Sequence, residues 1–311
     1  MNKFLDRTNR WSSSLIPYAL VSAIGVGLAG GMALLVFYAA LHWTDEVQDG
    51  LGGFYAKSGT LIIAGGGNLP ETIPAHFCKL AGGSDARLVV IPSYDATPRE
   101  ERAIIREWRR RQVATIDVSR CRARDDSASV ALASKIREAT GVWFTGGQQA
   151  IPAEYYSGTV VETELWSLLE RGGVIGGTSA GAAIMSRVMI EEGHRSAKTR
   201  QGLDLIRGCV IDQHFMRRNR LTRLRGVLDQ HPKTIGIGVD EGTALVVNVT
   251  SGRLNVIGNS YVMLWAPSET ESPHQAEFLK AGDSFDLDQI EWQDEPTEYQ
   301  ELATESISST T

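Results

Sequence analysis

Four short apolar runs, each ended by glycine or proline, constrain this chain more than any other feature. Residues 60–64 (TLIIA) run into Gly65-Gly66-Gly67, residues 87–91 (RLVVI) into Pro92, residues 141–145 (GVWFT) into Gly146-Gly147, and residues 173–176 (GVIG) into the turn 177–181. Runs this short and this apolar are strands buried on both faces. Between them lie stretches of helical length and character, at 100–111, 127–139 and 161–171, with a further strand at 113–118. Strands alternating with helices form βαβ units, so the predicted fold is α/β: a mostly parallel sheet with helices on both faces. Further apolar runs follow at 234–239, 243–249, 255–257 and 261–265, the last ones suited to an antiparallel edge. Ligands of such sheets gather at the carboxyl ends of the strands. Three of these ends carry glycine-rich turns, which places the site there.

A separate segment precedes this pattern. Residues 15–41 carry no charge over 27 positions, more than the roughly 20 needed to cross a bilayer. Lys3, Arg7 and Arg10 come before it. Asp45, Glu46 and Asp49 follow, with no further cation until Lys57. The positive-inside rule then leaves residues 1–14 in the cytoplasm, makes 15–41 a transmembrane signal anchor, and sends the rest to the extracytoplasmic face. Residues 42–58 read as a linker, 59–266 as the main folded domain and 267–311 as an extension. The acidic, Ser/Thr-rich stretch 295–311 reads as a disordered tail.

Composition removes several classes of function. A net charge of −6 offers no broad attraction to nucleic acid. Cys78, Cys121 and Cys209 are odd in number and lack metal-ligand spacing. They read as small buried apolar residues rather than a disulfide framework or zinc site.

The chemistry sits in Gly177-Thr178-Ser179-Ala180-Gly181, a G-x-S-x-G between a strand and a helix. That is the context of a nucleophile elbow, a turn too tight for large flanking side chains. Ser179 is the candidate nucleophile. A serine hydroxyl needs a base. Of the six histidines, His214 follows the apolar strand 209–211, at a strand's carboxyl end. A third group should orient the imidazole. Glu241, in the acidic pair after the strand 234–239, is the first choice, and Glu192 is its rival. Ala180 and either Gly146 or Gly147 can supply the two N–H donors of an oxyanion hole. Arg217, Arg218, Arg220 and Arg223 follow His214 closely, and Arg grips carboxylates bidentately. Asp212 brings the opposite sign, so the site suits a substrate bearing both charges. A lipase or esterase fits less well, because such enzymes order the triad Ser…Asp…His around an apolar acyl pocket.

Across roughly residues 59–262 the chain resembles the cyanophycinases of peptidase family S51. The matching pieces are FTGGQQ (144–149), GGTSAGA (176–182), DQHF (212–215) with Arg218, Arg220 and Arg223 after it, and GVDEGTA (238–244). The resemblance implies Ser179 as nucleophile and His214 as base. It implies Gln149, Asp212, Gln213, Arg218, Arg220 and Arg223 as the substrate pocket. It also implies a flavodoxin-like sheet related to class I glutamine amidotransferases, no cofactor, and frequent homodimers. The implied reaction is hydrolysis of cyanophycin, a polyaspartate with arginine on each β-carboxyl, to β-Asp-Arg. Other aspartyl or isoaspartyl peptides, or an inactive anchored domain that only binds a charged ligand, are the other readings.

Overall fold

The computed structural model of the protein describes residues 59–119, 126–265 and 276–286. The expected anchor at 15–41 and the expected disordered tail at 295–311 lie outside the described residues. Among the described residues no helix is long and apolar enough to cross a membrane.

The main sheet has eight strands. Five are parallel neighbours, in the order β1 (Thr60–Ala64), β5 (Val174–Thr178), β4 (Gly141–Gly147), β2 (Arg87–Ser93) and β3 (Thr115–Val118). On the other side of β1 the sheet turns antiparallel through β10 (Thr243–Asn248), β11 (Arg253–Gly258) and β14 (Ser284–Asp286). The mostly parallel sheet is thus present, with a three-stranded antiparallel flank.

A second sheet of four strands runs β13 (Ala276–Lys280), β12 (Tyr261–Trp265), β9 (Ile235–Val239), β8 (Cys209–Gln213). β8 and β9 are parallel, and β12 and β13 pair antiparallel beyond β9. The runs expected to form one antiparallel edge therefore divide: β11 joins the main sheet and β12 the second one. The extension after residue 266 contributes β13 and β14, one to each sheet. A two-stranded hairpin, β6 (Val188–Glu192) with β7 (Lys198–Gln201), forms a third small sheet whose Ile190 packs with Val210 of β8.

Alternation along β1 explains the layering. Leu61 and Ile63 point to one face and Ile62 and Ala64 to the other, all fully buried. The first face packs under α3 (Asp126–Glu138) and α5 (Val160–Glu170) through Leu132, Ile136, Leu165 and Leu168. It continues into the second sheet through Ile211 and Ile237. The second face is covered by α1 (Thr72–Leu80) and α2 (Pro98–Arg109) through Ile73, Phe77 and Trp108. Phe77 meets the rings of Trp108 and Trp143 edge-on, with centroids 5.5 and 5.0 Å away, the preferred geometry for aromatic quadrupoles. Helices on both faces follow from strands apolar on both faces.

The helix read at 100–111 begins two residues earlier, at Pro98. Thr97 accepts the Glu100 N–H at 3.4 Å while Glu100 Oε2 accepts the Thr97 N–H at 2.8 Å. This capping box satisfies donors that the first turn otherwise leaves open. Cys78 and Cys209 are buried, and burial pushes their thiols up to about 11 and about 12. Neither thiol is poised as a nucleophile.

Candidate active site

Five strands end around one point. β1, β4 and β5 bring the carboxyl edge of the main sheet, and β8 and β9 that of the second sheet. Ser179 follows β5, His214 follows β8 and Glu241 follows β9.

Ser179 has φ 54° and ψ −113°. A non-glycine residue takes this conformation only when its surroundings enforce it. The enforcing contacts are visible. Its N–H donates to Ala64 O at 3.0 Å, and its carbonyl accepts the N–H groups of Ala182 and Ala183. Gly177 and Gly181 permit the close turn. A Cβ on Gly177 would stand 2.2 Å from Gly181 O, and one on Gly181 would stand 2.4 Å from Phe144 O. The short helix α6 (Ala180–Ala183) then leads away from the serine.

His214 is buried, with φ 50°. Its N–H donates to Gly65 O at 2.8 Å. Its ring lies between two oxygens: Ser179 Oγ is 2.7 Å from Nε2, and Glu241 Oε1 is 2.6 Å from Nδ1. A carboxylate only accepts, so Nδ1 carries the proton and Nε2 keeps its lone pair toward the serine hydroxyl. The three residues thus form one hydrogen-bonded line that can take a proton from Ser179 and stabilise the resulting imidazolium.

The rival acid sits elsewhere. Glu192 is exposed on β6 and pairs with Lys198 at 3.4 Å. Gly146 lies beside the serine, where an added Cβ would be 3.5 Å from Ser179 Cβ. Gly147, next to it, is exposed. Its backbone is held by β2, since Ser93 O accepts the Gln148 N–H at 2.8 Å and Ser93 Oγ donates to Thr145 O at 2.8 Å.

The charged cluster divides into two parts. Asp212 and Arg223 are almost wholly buried and bound to each other, with Nε donating to Oδ2 at 3.0 Å and Nη2 to Oδ1. Arg223 Nη1 also donates to Gly193 O at 2.6 Å, fastening the tip of the β6–β7 hairpin. Gln149 Nε2 donates to Ile190 O at 3.0 Å on the same hairpin. Arg220 bridges Asp212, the Gln213 carbonyl and Gln213 Oε1, and burial lowers its guanidinium to about 10, so it stays charged at neutral pH. Gln213 is itself buried. Arg217 and Arg218 are exposed. The acid expected to meet a substrate cation is therefore occupied by the protein's own arginines, while the free positive charge at the rim comes from Arg217 and Arg218. Among the described residues no group of His, Cys, Asp and Glu is arranged to hold a metal ion.

Burial lowers the His214 pKa from its ordinary 6.5, and the nearby Arg218 and Arg220 push the same way, against the raising effect of Glu241. The imidazole is thus neutral at neutral pH, as a base must be. Followed by NMR, the His214 ring should titrate below 6.5. Arg218→Ala removes a repelling cation, so it should raise that value. A value that stays put or falls would contradict the arrangement.

Comparison with known proteins agrees with this architecture. The model of Peptidase family S51 matches residues 60–254. A cyanophycinase of Synechococcus elongatus is 31% identical over 209 residues, 64% of this chain. The match spans 65% of that relative's length. A cyanophycinase of Trichormus variabilis is 33% identical over 236 residues, 70% of this chain and 78% of the relative. The crystal structure of a peptidase from an acI-B1 Actinobacterium shares the fold, with a TM-score of 0.60 at 21% identity over 74% of this chain and 97% of that one. The chain belongs to peptidase family S51.

Proposed function

We propose that the protein is a serine-type peptidase that hydrolyses cyanophycin to β-Asp-Arg through an acyl-enzyme. The observation that carries this reading is the unbroken line Ser179–His214–Glu241, with contacts of 2.7 and 2.6 Å. Ser179 Oγ attacks the scissile carbonyl carbon as His214 Nε2 takes its proton, and Glu241 balances the imidazolium charge. The N–H groups of Gly147 and Ala180 receive the oxyanion. The tetrahedral species collapses when His214 returns the proton to the leaving amine, which departs. Water, activated by the same imidazole, then attacks the acyl-serine and releases the acid product.

The likeness to relatives named cyanophycinase supports the choice of polymer. So does the rim. Each repeat of cyanophycin ends in an arginine α-carboxylate, and Arg218 is exposed and near enough to His214 to perturb it. The buried pairing of Asp212 with Arg223 supports a reading in which those two residues hold the pocket wall. The apolar run 15–41 supports an anchor that carries the catalytic domain on the extracytoplasmic face.

The full-length chain, in detergent, should convert cyanophycin to β-Asp-Arg detectable by mass spectrometry. Ser179→Ala should lower kcat by about 10³–10⁶ with folding intact. Intact polymer with the folded wild type would remove the substrate, and surviving activity in Ser179→Ala would remove the nucleophile. Protease added outside intact cells should digest the domain. Its protection would reverse the proposed orientation.

A further inference from the structure

The carboxylate next to Glu241 has no part in the scheme above, yet it is held with unusual care. Asp240 directly follows β9 and is 9% exposed. A charged side chain so placed persists only when it is fully partnered. Its partners come from two other segments. Oδ1 accepts the backbone N–H of Arg217 at 2.9 Å, in the turn just beyond His214. Oδ2 accepts the hydroxyl of Ser260 at 2.7 Å, in the turn between β11 and β12. Ser260 is fixed in turn, because its N–H donates to Thr243 Oγ1 at 2.7 Å. The Asp240 N–H donates to Tyr261 O at 3.2 Å.

One carboxylate therefore ties three turns together, and two of them carry His214 and Glu241. His214 sits at φ 50°, a conformation that relaxes unless its neighbours hold it. The turn after it closes on itself, with Arg218 N–H donating to His214 O at 3.0 Å. The Arg217 N–H fastens that closed turn to the turn bearing Glu241, beside the Phe215 N–H, which donates to Val239 O at 3.2 Å.

We propose that Asp240 is a positioning residue that sets the His214–Glu241 contact by crosslinking the 214–218 turn to the 240–242 turn. This rests on the serine hydrolase reading, and Asp240 acts in it through the histidine and the acid rather than on the substrate. The two bonds need acceptor and donor geometry more than they need charge. An asparagine would still accept the Arg217 N–H through Oδ1, and its amide would donate to the Ser260 hydroxyl. An alanine would leave both groups without their partner.

The test uses the full-length protein, soluble cyanophycin, and the variants Asp240→Ala, Asp240→Asn and Ser260→Ala, with melting curves for each. Misplacing a catalytic group by about 1 Å costs up to ~100-fold in rate, so Asp240→Ala should lower kcat by about that factor with little change in KM. The charged groups bearing on the His214 ring are Glu241, Arg218 and Arg220. A loosened Glu241 favours the imidazolium less, so the acid limb of the kcat/KM profile should move to lower pH. Asp240→Asn should restore most of kcat, and Ser260→Ala should fall between.

A folded Asp240→Ala with wild-type kcat and an unmoved acid limb would overturn the proposal, as would a loss confined to KM. If Asp240→Ala does not fold, Ser260→Ala decides: a several-fold lower kcat supports the role, and an unchanged kcat removes it. An inactive wild type would strike the hydrolase reading itself, whereas an active one indifferent to these variants would strike only Asp240.

Discussion

The site depends on the glycine turn that ends β1. Three separate chain segments hydrogen-bond to it. Ser179 donates to the carbonyl of Ala64, His214 to that of Gly65 and Gly242 to that of Gly66. The turn can accept all three because its own side chains are missing. A Cβ on Gly66 would stand 2.5 Å from His214 Cε1, and one on Gly67 would stand 2.7 Å from Glu241 Oε2. Gly66 also has φ 100°, which any other residue adopts at a cost. Ser179, His214 and Glu241 thus meet on a backbone surface rather than on side chains. Backbone within a packed sheet is among the least mobile parts of a protein, so the 2.7 and 2.6 Å contacts are built in before substrate arrives. Such preorganisation is the main source of catalytic power in sites of this kind.

The two-sheet design explains why a second fastening is needed. Ser179 belongs to the main sheet, while His214 and Glu241 hang from β8 and β9 of the second sheet. The chain passes from one to the other between β9 and β10, in the three residues Asp240, Glu241 and Gly242. That turn is pinned to the main sheet through Gly66 and to the histidine turn through Asp240. The Asp212–Arg223 pair does related work one layer down. It joins β8, α7 (Leu221–Leu228) and the β6–β7 hairpin. A buried ion pair of this sort adds little net stability, since desolvation offsets attraction. Removing one partner, however, would strand a charge beneath His214.

Much of this was legible in the sequence for physical reasons. Strands buried on both faces leave uninterrupted apolar runs, so β1, β2, β4 and β5 were readable within two residues of their bounds. The 177–181 turn announces itself because tight packing there admits only small residues. His214 and Glu241 were readable as polar residues just past apolar strands. What could not be read depends on partners distant in sequence. The division into two sheets turns on which strand pairs with β9, and neither β11 (RLNVIG) nor β12 (YVMLW) carries a local signal that names its partner. The pairing of Asp212 with Arg223 joins positions eleven apart across a strand and a helix, a spacing that no periodicity encodes. Arginines that look equivalent in a row therefore separated into a buried clamp and an exposed rim. The helix α1 and the hairpin β6–β7 carry too weak a pattern to have been identified.

The central claim is that Ser179 is an activated nucleophile, and covalent labelling tests it without assuming a substrate. The full-length protein would be treated with a serine-directed aryl phosphonate at neutral pH and its mass and peptide map recorded. The account requires one adduct per chain, located on Ser179, and much slower labelling in Gly66→Ala, whose new methyl would displace the His214 ring. A folded wild type that takes no adduct, or takes it on another residue, would contradict the account.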